Sequence, residues 1–150
     1  METTVTLSVK EVLNHQIANY NVLYTKLHQF HWYVKGPHFF TLHEKFEELY
    51  NEAAEAFDEL AERLLSIGGK PFSTLSEYLA NTSIVESTNV DRQSSEFVQE
   101  LVENYDVIKK ELIQAITVAG DESDDVTEDL FIGLKANIDK HIWMLKAYLG

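Results

Sequence analysis

Residues 68–90, GGKPFSTLSEYLANTSIVESTNV, decide the fold. The stretch opens on Gly68-Gly69 and Pro71, residue types that end a helix and do not restart one. Inside it only Thr74-x-x-Glu77, a capping box ahead of Tyr78 and Leu79, signals a helix, and a short one. On either side the apolar residues recur at steps of three and four, the period of an amphipathic helix. Upstream, one helix is expected over 9–35, with the stripe Val12, Leu13, Ile17, Tyr20, Leu23, Tyr24, Leu27 and Phe30. Gly36-Pro37 breaks it, and a second helix runs to about residue 67 through Phe46, Leu49, Tyr50, Ala53, Phe57, Leu60 and Leu64. The start of this second helix is open. Pro37 suits the first helical position after Gly36, and Thr41-x-x-Glu44 suits a capping box about four residues later. Downstream, a third helix is expected over 91–118 with Phe97, Val98, Leu101, Val102, Tyr105, Ile108, Leu112 and Ile116. A fourth begins near Asp124-Asp125 and ends at 149, with Val126, Leu130, Leu134, Ile138, Ile142 and Leu145. Short links join helices one to two and three to four, and the middle link is long. That spacing predicts an all-α, ferritin-like four-helix bundle with a long crossover carrying a short extra helix, rather than a plain up-and-down bundle. No repeat or linker divides the chain, so 150 residues read as a single domain, 1–150, with a short tail over about 1–8.

Composition bounds the chemistry. With no Cys, the chain has no disulfide, thiolate ligand or cysteine nucleophile. No apolar run approaches the roughly 20 residues that span a bilayer. The opening segment, Met1 to Lys10, has neither the basic start nor the apolar stretch of a signal peptide, so a cytoplasmic location is expected. A formal net charge of −13 repels nucleic acid and anionic membrane and attracts cations. Any merely soluble acidic protein shares that last property, so the positions of the charges matter more than their sum.

His28 and His31 lie one turn apart near the end of helix one. His43 and Glu47, then Asp58 and Glu62, are i, i+4 pairs on helix two. At about 100° per residue, positions 43, 47, 58 and 62 fall at about 0°, 40°, 60° and 100°, one stripe along one face. His31 and His43 flank the Gly36-Pro37 break and can meet across a hairpin. Asp58 lies about 22 Å of helix beyond His43, too far to share one metal ion with it. Either the chain carries two unrelated clusters, or two copies of helix two pair antiparallel about a two-fold axis, the commonest symmetry of homo-oligomers. Helical di-iron sites use Glu-x-x-His from two helices facing into one bundle. That motif occurs nowhere in this chain, which favours the interface. A mixed imidazole and carboxylate set suits Fe(II) or Zn(II), whereas magnesium or calcium calls for oxygen ligands throughout.

Three runs carry a resemblance. Leu27-His28-Gln29-Phe30-His31-Trp32-Tyr33, Gly36-Pro37-His38-Phe39-Phe40-Thr41-Leu42-His43-Glu44 and Phe57-Asp58-Glu59-Leu60-Ala61-Glu62-Arg63 resemble, in order and spacing, the signature of the Dps family of bacterial mini-ferritins. The likeness continues through Gly68-Gly69-Lys70-Pro71 and Asp139-Lys140-His141-Ile142-Trp143. It implies a hollow dodecamer that oxidises Fe(II), preferentially with hydrogen peroxide, and stores ferric mineral. It implies His31 and His43 as iron ligands from one subunit, with Asp58 and Glu62 from the two-fold partner, and Glu62 able to bridge two irons. Zinc is a possible substitute. Glu47 stands where family members usually carry aspartate, and is expected as a secondary ligand or a residue beside the ligands. His28 is expected to orient a ligand or hold a second metal weakly. Trp32, next to ligand His31, is expected to supply an electron, to pack the interface, or both.

Asp121, Glu122, Asp124, Asp125, Glu128 and Asp129 crowd the start of helix four. Capping and dipole compensation explain two or three of them. The resemblance implies that this region lines three-fold pores for iron, with Asp121 and Asp129 as the pore residues. DNA binding in such proteins usually rests on a basic terminal arm. Here no basic residue precedes Lys10 and none follows Lys146, so direct binding at physiological salt is expected to be weak or absent. The alternative expectation is a DNA-coating or metal-sequestering shell without redox turnover.

Overall fold

The computed structural model describes residues 7–150, which form five helices: α1 (Val9–Tyr33), α2 (Phe39–Ser66), α3 (Leu75–Asn81), α4 (Ser94–Asp121) and α5 (Asp125–Leu149). Residues 1–6, most of the expected tail and its missing basic charge, lie outside the described residues. The fold is the ferritin-like bundle expected from the crossover.

Local chemistry sets the helix ends. At the start of α1 the Ser8 hydroxyl accepts the Glu11 N–H at 3.2 Å, while Glu11 accepts the Ser8 N–H at 3.4 Å. The Glu122 carboxylate, from the α4–α5 turn, accepts the Val9 N–H at 2.7 Å, so a distant residue satisfies one of the free donors at this helix end. α1 stops at Tyr33, two residues before the expected Lys35. Gly36 then takes φ +98°, and its carbonyl accepts the Phe39 N–H at 3.1 Å. Pro37 is therefore the second residue of a tight turn, the position its fixed φ suits. Neither expected start of α2 holds: the helix begins at Phe39 after His38, and Thr41 lies inside it. The turn uses up Pro37, and the helix needs no side-chain cap to begin after it.

α2 ends as Gly68-Gly69 predicts. Gly68, at φ +85°, donates to Leu65 O at 3.0 Å and Gly69 to Leu64 O at 2.8 Å, the paired bonds of a Schellman motif. The Thr74–Glu77 capping box opens α3. α4 starts at Ser94 rather than Asp91 and runs on to Asp121, beyond the expected Val118. It closes with the same bond pattern as α2, except that Ser123 rather than glycine occupies the left-handed position, at φ 59°.

Side-chain contacts establish the topology. Phe30 of α1 packs on Phe46 of α2 and Phe97 of α4, and His38 packs on Tyr148 of α5. At the far end Val9 meets Glu122, and Arg63 of α2 meets Asp124 and Thr127 of α5. α1 and α5 thus run one way and α2 and α4 the other, so the crossover must travel the length of the bundle. A row of polar α1 side chains holds it there. Asn14 bonds the main chain at Lys70 and Phe72, Asn19 at Ser83, Lys26 at Val85 and Gln29 at Ser87. Asn19 and Lys26 are buried in doing so.

The core follows the expected stripes, with one exception on α5. Val126 is 57% exposed, while Thr127 and Phe131 are fully buried. The buried face is rotated by one residue because Thr127 is anchored. Its hydroxyl donates to Asp124 Oδ2 at 2.6 Å and accepts from Arg63 Nε at 2.8 Å.

Candidate metal centre

His31 sits in the last turn of α1 and His43 in the second turn of α2. The tight turn at Gly36–Phe39 folds the two helices together, and the imidazoles stack with centroids 3.7 Å apart and planes 12° from parallel. Each ring is bonded to the other's main chain: His31 Nδ1 lies 2.6 Å from His43 O, and His43 Nδ1 lies 2.7 Å from His31 O. A carbonyl only accepts. Both rings therefore carry a proton on Nδ1, which in the neutral imidazole leaves the lone pair on Nε2, the tautomer a metal ligand needs. Phe39 stacks on the outer face of His43 at 4.9 Å, and Tyr50 meets His31 edge-on at 5.4 Å. His31 is buried and His43 half-buried, so the pair is held in an aromatic packet.

Around this pair the structure brings together most of the residues singled out on α1 and the start of α2. Glu47 Oε1 stands 3.9 Å from His31 Nε2, too far for a direct hydrogen bond but close enough to share an ion or a water. Its other neighbour is Tyr50, whose hydroxyl donates to Glu47 Oε1 at 3.4 Å. Partial burial and the Glu47 charge push the Tyr50 phenol above its ordinary range. His28, one turn before His31, stacks on Tyr50 at 3.8 Å and bonds Tyr24 O at 3.0 Å through Nδ1. Trp32 is 67% exposed, with its ring 5.4 Å from that of His28.

Asp58 and Glu62 are not part of this packet. They lie exposed on the same helix, about 22 Å of α2 beyond His43 in the case of Asp58. Among the described residues no three His, Cys, Asp or Glu side chains converge on one point. Within one chain the imidazoles and the acids are separate.

The bundle centre offers no substitute. Glu52 of α2 is hydrogen-bonded to His141 of α5, so each occupies the other. Tyr20 and Tyr105 beside them are buried, and burial together with the nearby Glu52 pushes both phenols far above their ordinary range. The void they line is about 10 Å³, room for about one water and not for a hydrated cation.

Asp121 and Asp129 are both exposed at the opposite end of the bundle from the histidine pair, at the end of α4 and in the second turn of α5. Asp124 is engaged otherwise. It caps α5 and binds Arg63 at 3.0 Å, and although burial opposes it, the bonds from Thr127 and Arg63 hold its carboxyl below the usual range. Glu122 caps α1. Two of the six acids are thus structural.

The reciprocal Nδ1 clasp and the α1 polar row were not anticipated. The first needs the exact hairpin geometry, and the second uses residue types that ordinarily face water. Among the described residues no helix is long and apolar enough to cross a membrane.

Comparison with known proteins places this geometry among relatives. A ferritin-like domain family matches residues 10–150. The chain is 50% identical over 151 residues to a DNA protection during starvation protein from Listeria innocua, covering all of this chain and 97% of the relative. Among solved structures it is similar to a histidine mutant of the Listeria innocua Dps, with TM-score 0.96, 49% identity and coverage of 99% of this chain and 97% of that one. It is also similar to the same organism's Dps soaked with zinc, with TM-score 0.93, 51% identity and coverage of 95% and 97%.

Proposed function

The chain belongs to the Dps family of ferritin-like proteins, and from that premise we propose that it oxidises Fe(II) at sites shared between subunits and stores the ferric product in a hollow dodecamer. The observation that carries this reading is the His31–His43 clasp. Two imidazoles, each held through Nδ1 and stacked at 3.7 Å, keep Nε2 out of those bonds, with Glu47 beside that of His31. Such a pair binds iron only weakly alone and needs carboxylates to hold the ferric product. Asp58 and Glu62 are exposed acids farther along the same face of α2. An antiparallel neighbour about a two-fold axis brings its own Asp58 and Glu62 to this chain's histidines.

In this proposal iron is the substrate. His31 and His43 bind one Fe(II). Asp58 and Glu62 of the neighbour complete the site, and Glu62 bridges to a second Fe(II) that Glu47 helps to hold. One hydrogen peroxide takes one electron from each of two Fe(II), and its O–O bond breaks to give two waters after protonation. Pairing the electrons in this way avoids releasing hydroxyl radical. Trp32, exposed with its ring 5.4 Å from that of His28 and next in sequence to His31, supplies an electron when only one iron is present. Zinc competes for the same nitrogen and oxygen donors. Asp121 and Asp129 line the entry route at the other end of the molecule, where a ring of carboxylates concentrates cations. Protection of DNA then comes from removing iron and peroxide in the cytoplasm. The charge of −13 disfavours coating of DNA.

The test is iron oxidation by stopped flow with peroxide as oxidant. His31→Ala and Asp58→Ala should each slow it by at least about tenfold, with helix content unchanged by circular dichroism. Wild-type rates in both variants would remove the site. A shell that binds iron without turnover would instead consume no peroxide.

A further inference from the structure

Away from the histidine pair, three side chains from three segments of the chain meet, and two of them, His15 and Glu111, line a cavity of about 510 Å³. His15 comes from α1, Ser83 from the crossover and Glu111 from the middle of α4. His15 Nε2 lies 2.7 Å from Ser83 Oγ and 3.0 Å from Glu111 Oε2, and the Ser83 hydroxyl donates to Glu111 Oε2 at 2.6 Å. The second carboxylate oxygen is held from behind, by Asn19 at 2.6 Å and Gln16 at 3.2 Å. Lys10 and Glu11, of opposite charge, line the same cavity, and Asn81 and Gln114 complete its polar wall.

We propose that His15, Ser83 and Glu111 form a second cation site, for a first-row divalent ion such as zinc or cobalt(II), that fastens the crossover to α1 and α4. The donor geometry supports it. Donors about 2.1 Å from a cation lie about 3.0 Å apart when the ion is six-coordinate, as it is here with waters in the other positions, against about 3.4 Å for a tetrahedral ion. The triangle here has edges of 2.6 to 3.0 Å and opens slightly to admit the ion. One imidazole with two oxygen donors selects such ions over magnesium or calcium. Hydrogen bonds that orient a liganding carboxylate are the usual support of a metal site, and Asn19 and Gln16 supply them. The open cavity leaves room for waters in the remaining positions. Glu111 is the charged group bonded to His15, and Lys10 and Glu11 are the others lining the cavity.

This site is independent of the reading of His31 and His43, and the test keeps them apart. Assembled protein carrying His31→Ala and Asp58→Ala is titrated with Co(II) and followed by its visible absorption. A cobalt signal that zinc displaces should remain in this background and disappear when His15→Gln is added, a change that keeps a hydrogen-bond donor toward Glu111. Ser83→Ala in the same background should weaken cobalt binding about tenfold, and zinc should raise the melting temperature of the background protein but not of the His15→Gln variant. Cobalt binding that ignores both His15→Gln and Ser83→Ala overturns the proposal, as does a background protein that binds no cobalt with an imidazole signature. If His15→Gln loses helix content, Ser83→Ala decides alone, and unchanged affinity there is the overturning result.

Discussion

Two backbone carbonyls decide the chemistry of His31 and His43. By accepting from both Nδ1 atoms they leave both Nε2 atoms free, with no carboxylate required to orient either ring. The residue types were legible in the sequence, and so was their meeting across the hairpin, because Gly36-Pro37 lies between them. The tautomer was not legible, since it depends on main-chain atoms that the turn alone positions. A second residue-scale centre, Glu111, has a measurable signature. Burial raises its pKa, but bonds from His15, Ser83 and Asn19 and the His15 charge outweigh that and pull it from 4.5 to about 2. A depressed carboxyl contributes stability in full above its unfolded value, and that contribution is lost as pH falls from about 4.5 toward about 2. His15, raised from 6.5 mainly by its bond to Glu111, works in the opposite sense: its contribution is whole below 6.5 and fades as pH rises through the shifted value. Urea titrations of Glu111→Gln should show a loss of about 1–3 kcal/mol at neutral pH and a flatter decline in acid than the parent. Parallel curves for the two proteins would mean that Glu111 is not the group responsible.

Among the elements, the helix ends show what sequence does and does not encode. Gly68-Gly69 and Thr74-x-x-Glu77 act locally, and both signals proved sufficient. The end of α4 uses the same Schellman bonds with Ser123 at φ 59°, so no glycine announced it and the expected boundary fell short. Ser123→Gly should relieve that strain and raise stability by about 1 kcal/mol, read as a higher urea midpoint with unchanged slope. A lower midpoint would show that the serine side chain contributes something the backbone argument omits. The buried face of α5 was misread for a related reason. Val126 and Thr127 begin two rival stripes that converge on Leu134, and apolar pattern alone prefers valine. Arg63 of α2 and the cap Asp124 fix Thr127 inward, and that preference is a tertiary one. The polar row on α1, from Asn14 to Gln29, is likewise a set of clasps for the crossover that reads as solvent-facing until the crossover is in place.

At the scale of the whole molecule, the antiparallel hairpins put the histidine pair at one end and the acidic α4–α5 turn at the other. The proposed entry route and the proposed oxidation site are therefore distinct places, and a lesion at one should spare the other. Asp129→Asn should slow the uptake phase of iron loading several-fold while leaving peroxide consumption by iron already bound unchanged. Equal effects on both phases would return Asp129 to a helix-capping role. The central claim concerns two chains, because one chain alone keeps its imidazoles far from Asp58 and Glu62. It is tested most directly by complementation. Subunits carrying His31→Ala and His43→Ala are co-refolded with subunits carrying Asp58→Ala and Glu62→Ala, and iron oxidation by peroxide is measured for each parent and for the mixture. A site shared across a two-fold axis leaves one intact copy in every mixed pair, so random mixing should restore about one quarter of wild-type activity. A mixture no more active than its parents would contradict the shared site.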